Sequence, residues 1–139
     1  MNLESVGCLN FLKLMENQLK KSKEIINKKL LKETVTDEEL TIAVAKCYSI
    51  QKALGTNKEW QFPDRNTFVE IINRLKLKLF HDWGDNAEFY MPDGTVVQFN
   101  FSLLKEKLNE MQEHLENIQV QILKNITLNN IKTVGCGKW

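Results

Sequence analysis

The chain has 139 residues, 42% of them apolar and 27% charged, with 19 basic against 18 acidic side chains for a net charge of +1. That length suits one ordinary domain, able to bury roughly 65–70% of its unfolded surface, and the composition excludes extended disorder. The near-neutral balance excludes a global pull toward nucleic acid or anionic lipid, so any such attraction must be local.

The opening stretch MNLESVGCLNFLKLMENQLKK sets an acidic residue ahead of its apolar ones and holds no continuous apolar run, unlike a signal peptide. No other stretch approaches the ~18 apolar residues of a membrane span, so a cytoplasmic chain with no membrane partner is expected. Cys8, Cys47 and Cys136 are sparse, odd in number and without a CxxC pair, which predicts reduced thiols. The Asn125-Ile126-Thr127 sequon is then accidental. Abundant Lys, Asn and Ile with few Arg, Pro and Ala hint at an AT-rich bacterial or viral genome.

In chain order, the first segment, roughly residues 2 to 33, places Leu12, Met15, Leu19, Ile26 and Leu30 on one helical stripe. Polar Ser22 and Lys23 fall in its gap, and Gly7 weakens only its first turns. Unbroken, such a helix would be roughly 45 Å long. The second helix has the best-marked start. In VTDEEL, Thr36 is the N-cap and Glu39 follows three residues later, so each can satisfy the other's exposed amide. Val35 and Leu40 staple across that start, and Asp37 and Glu38 suit the helix dipole. Leu40, Ala43, Val44, Cys47, Ile50 and Leu54 continue the apolar face until Gly55 stops it.

A loop, GTNKEWQFPDRN, leads into TFVEIINRLKLKLF, where Phe68, Ile71, Ile72, Leu75 and Leu79 have helical spacing and Glu70 and Arg74 form an i,i+4 pair. Leu75, Leu77 and Leu79 also alternate with Lys76 and Lys78, as a strand would. Leucine and lysine are better helix formers than strand formers, so helix is expected. The strand alternative would make the following hairpin a three-stranded meander.

HDWGDN reads as a turn and FYMPDGTVVQFNF as a β-hairpin. Pro92 presets its connection, Asp93 follows, and Gly94 supplies the left-handed residue. That register puts Phe89, Met91, Val97 and Phe99 on one face, continued by Phe101, and Glu88, Tyr90, Gln98 and Asn100 on the other. A two-stranded hairpin is marginal alone, so its apolar face must lie on the helices. The last helix is expected from Ser102, as N-cap, to about Ile126. Leu104, Leu108, Met111, Leu115, Ile118 and Ile122 form a coiled-coil-like a/d seam in it, with Asn125 next in line and Glu106, Glu110, Glu113 and Glu116 turned outward. Residues 127–139 read as a flexible tail with a short strand from Ile131 to Val134.

Candidate chemistry is thin. His81, Asp82, Asp85 and Glu88 are close enough in sequence to suggest a metal, yet their spacing fits neither an EF-hand loop nor a helical HExxH pair. The plainer reading is a turn in which Asp82 and Asp85 cap amides. His114 reads as solvated or as packing at an interface. Cys136 between two glycines lacks a nearby base, and GCGK lacks the spacing of a phosphate-binding loop. Trp60, Phe62 and Trp83 read as plugs of a helical core, with a ligand pocket or partner patch as the alternative. A lysine-rich stretch, Lys20, Lys21, Lys23, Lys28, Lys29 and Lys32, reads as a solvated face. Its other readings are phosphate contact and pairing with the glutamates of the last helix.

These features predict a single mainly α (α+β) domain: about four helices, two of them long, with an embedded hairpin. The expected function is a small cytoplasmic, non-enzymatic interaction module, such as an inhibitor, adaptor or assembly subunit. It would form a homodimer, with Leu104, Leu108, Met111, Leu115, Ile118 and Ile122 as the candidate seam, packing either on the first helix of the same chain or on a second copy. The alternative is nucleic-acid binding through Lys20, Lys21, Lys28, Lys29 and Lys32. With a strand at 75–79, helix plus hairpin would loosely resemble a winged helix, although the long LGTNKEWQFPDR connection is unlike a tight helix-turn-helix turn. No cofactor or metal is expected.

Overall fold

The computed structural model describes residues 3–56 and 58–127. Two long helices, α1 (Leu3–Leu30) and α4 (Phe101–Thr127), run antiparallel, because Lys23 meets Gln112 while Glu16 meets Gln119. At 1.5 Å per residue the 28 residues of α1 extend about 42 Å. The helix α2 (Asp37–Leu54) folds back along α1, and α3 (Arg65–Arg74) packs on α2. Three short antiparallel strands, β1 (Lys78–Asp82), β2 (Asn86–Tyr90) and β3 (Val96–Asn100), form a sheet in sequence order against the helices. The architecture is α+β, as expected. The tail expected to be flexible lies outside the described residues except for Thr127, as does the expected strand from Ile131 to Val134.

Local chemistry explains the boundaries. At the end of α1, Glu33 N–H donates to the Lys28 carbonyl and Lys32 N–H to that of Lys29, with Lys32 in the left-handed region at φ 59. That is a Schellman closure built without glycine. Thr36 caps α2 as expected, its Oγ accepting from Glu39 N–H at 3.1 Å. Gly55 ends α2 at φ 89. Asp64 caps α3, accepting from the amides of Asn66 and Thr67 and from the Thr67 hydroxyl. The cap of α4 is Asn100, not Ser102: its Oδ1 accepts from Leu103 N–H at 3.0 Å. Asparagine's side-chain carbonyl serves there as well as serine's hydroxyl.

The helical reading of residues 75–79 is corrected. The helix ends at Arg74, and Leu75, Leu77 and Leu79 turn inward while Lys76, Lys78 and Phe80 are exposed. Burial on one face outweighed leucine's helix propensity, as packing often does.

The core gathers Leu12, Met15, Leu19 and Ile26 from α1, Val44, Ile50 and Leu54 from α2, Phe68 from α3, Ala87 and Phe89 from β2, and Phe101. Ser22, expected in the polar gap, is buried against this core. The candidate seam Leu104, Leu108, Met111, Leu115, Ile118 and Ile122 is buried throughout within the single chain. Within the chain α1 packs along this face of α4, and the side chain next in line, Asn125, lies outside the described residues. Cys8 and Cys47 are both buried in the core. No described helix is long and apolar enough to cross a membrane.

Candidate functional site

The lysines of α1 do not converge on one surface. Lys20 pairs with Glu16 at 3.3 Å, Lys29 with Asp82, and Lys23 donates to Gln112. Lys28 is half-buried, Lys21 lines a shallow groove between α1 and α2, and Lys32 sits in the helix closure. The residues of the 81–88 stretch also separate. Asp82 faces α1, where it meets the Lys29 ammonium and accepts from Gly84 N–H at 2.8 Å. Partial burial pushes its carboxyl up. The Lys29 and Gly84 hydrogen bonds and the Lys29 charge more than offset this and hold it below the usual value. Among the described residues no three His, Cys, Asp or Glu side chains are grouped to hold a metal.

Of the aromatic loop, Trp60 and Phe62 pack on the core. His114 stacks on Trp60 at 5.4 Å and donates through Nε2 to the Gln61 carbonyl at 2.9 Å. Burial pushes the Cys47 thiol up to about 12, which disfavours its thiolate at neutral pH. A groove of about 560 Å³ between α2, α3 and the hairpin tip holds both signs of charge, with Glu70 and Arg74 paired at 2.8 Å and Lys52 over the Tyr48 ring. It presents no converging set of reactive groups.

The outer face of the sheet is different. Leu79 pairs with Phe89 and His81 with Glu88, so Phe80 is an extra residue in β1, a β-bulge. Strict alternation would turn Phe80 out, His81 in and Asp82 out. The bulge shifts the pattern by one, so Phe80 and His81 share the outer face and Asp82 turns inward to Lys29. The two adjacent rings stack at 4.2 Å, Tyr90 stacks on Phe80 at 4.6 Å, and Trp83 lies 5.3 Å from His81. Their interplanar angles of 29°, 22° and 33° make one ladder of four rings.

Phe80 is 44% exposed, Trp83 55%, Tyr90 36% and its cross-strand partner Val96 41%. Lys78 flanks the ladder at one end, with Lys76 beyond it, and Glu88 stands beside His81. Neither Lys78 nor Glu88 has an ion-pair partner among the described residues. Trp83 was grouped in sequence with Trp60 and Phe62, but it belongs to this face. The rings of Phe80, His81 and Tyr90 were missed as a set because no residue type announces the bulge that gathers them.

Comparison with family models, with curated proteins and with solved structures finds no match to this chain.

Proposed function

We propose that the chain is a non-enzymatic protein-interaction module whose working surface is the outer face of the sheet. The observation that carries this reading is the ladder of Tyr90, Phe80 and His81, stacked, with Trp83 tilted against His81, all open to solvent. Leaving large rings in water forgoes burial worth about 25 cal/mol per Å², and contiguous exposed apolar patches are characteristic of docking surfaces. Aromatic side chains also make effective anchors in protein interfaces. An inhibitor, adaptor or assembly subunit fits such a surface.

Two observations weigh against the nucleic-acid alternative. Lys20, Lys23 and Lys29 are engaged within the chain. The ladder's inner rings also turn their faces to one another, whereas single-stranded nucleic acid needs open ring faces for its bases. The test is a photo-crosslinking residue at Val96, on this face, against one at Val120, exposed on α4. In the cells that make the protein, the Val96 probe should give discrete protein adducts and the Val120 probe none. Equal labelling from both positions, or no adduct from Val96, would defeat the reading.

A further inference from the structure

We infer that the occupant of this face is a second copy of the same chain, docked sheet to sheet about a two-fold axis that crosses β1 near Phe80. The inference rests on the interaction reading above and adds the identity of the partner. A two-fold interface must be self-complementary, each patch meeting its own copy. Along this face the cations Lys76 and Lys78 lie at one end, and Glu88 lies about two residues further along, beside His81. An axis between the sheets and perpendicular to the strands reverses the strand direction. β1 then lies over β1, so Lys78 of one copy comes over the His81–Glu88 pair of the other, within reach of Glu88 on the adjacent strand, twice, with the ring ladders between them. A partner of uniform charge would leave one of these unpaired signs opposed.

The area agrees. Aromatic side chains bury 150–250 Å² each, so the exposed fractions of Phe80, Trp83, Tyr90 and Val96 amount to roughly 350 Å² of mostly apolar surface. That is somewhat under half of the ~800 Å² per partner in a standard interface. Lys76, Lys78, Glu88 and Gln98 around it supply a polar rim. An interface of that size, with an apolar centre and two ion pairs, suits a reversible dimer with a dissociation constant on the order of micromolar.

The experiment is sedimentation equilibrium on the full chain from about 1 to about 300 μM, a range spanning that constant. The samples are wild type, Lys78→Glu, Glu88→Lys and the double variant, each shown by circular dichroism to be folded. The wild type should pass from monomer to dimer. Each single reversal should weaken the dimer about tenfold or more, because it sets like charges together twice, and the double swap should return to within about threefold of wild type. A wild type that stays monomeric throughout overturns the inference, as does a dimer indifferent to both reversals or a double variant no tighter than the singles. Adducts from the Val96 probe with a monomeric purified chain would leave the interaction module standing, with a different protein as its partner. Absence of both would remove the two readings together.

Discussion

Replacing Leu115 with alanine tests whether the α4 seam is core or an interface between subunits. Leu115 is fully buried in the single chain, on the α4 face covered by α1. The change removes three carbons, about 2.4 kcal/mol at ~0.8 kcal/mol per buried carbon group, and the residual cavity raises the cost to about 3–5 kcal/mol. Against a total stability of about 5–15 kcal/mol, that is a large fraction. Urea unfolding followed by circular dichroism at two protein concentrations should show a midpoint lowered by the same amount at both, with the slope unchanged. A cost below about 1 kcal/mol, or a loss that disappears on dilution, would mean that the seam faces another subunit and that the burial reasoning is wrong.

Three further outcomes follow from local geometry. Gly55→Ala should destabilise by about 1–3 kcal/mol in the same assay, because φ is +89 and an added Cβ would meet the Glu59 carbonyl oxygen at 3.0 Å; no loss would contradict the strain argument. Lys32→Gly should stabilise by about 1 kcal/mol and raise the melting temperature by a few degrees, since glycine is at ease at φ 59. The Asp82 carboxyl is held below its ordinary value, so its stabilising contribution is complete above the unfolded value near 3.9 and is lost as pH falls through the lower folded value. Asp82→Asn should therefore lose less stability than wild type between pH 6 and pH 3, and identical acid limbs would show that the Lys29–Asp82 contact contributes nothing.

How far the sequence was legible depended on whether one local rule acted alone. Thr36 with Glu39, the stop at Gly55, and Gly94 closing the 92–94 connection at φ 88 were all readable, because capping and left-handed backbone leave residue-type signatures. The Gly94 turn appears in full, with Gly94 N–H donating to the Met91 carbonyl and Met91 N–H to that of Thr95. The hairpin faces were read correctly, with Phe89 inward and Tyr90 outward, although Phe99 is only half-buried and packs edge-on against Phe89. The Leu-Lys alternation at 75–79 satisfied two periods at once, and tertiary packing decided between them. Asp64 was hidden because Asn66 and Thr67, standing nearer the apolar run that begins at Phe68, are equally good capping types by sequence. The bulge at Phe80 left no trace at all, since inserting one residue in a ladder is a property of pairing and not of residue type. That bulge gathers the exposed rings, so the candidate site was the least legible part of the molecule.

The most direct test of the sheet's outer face as the working surface is the residue-by-residue amide NMR spectrum recorded across a dilution from about 1 mM to about 10 μM, bracketing a micromolar constant. Concentration-dependent shifts should concentrate at Lys78, Phe80, His81, Trp83, Glu88, Tyr90 and Val96, while the amides of Val120, Leu115 and Leu19 stay fixed. Shifts confined to α1 and α4, or a spectrum unchanged across the whole range, would contradict docking of a second copy on that face.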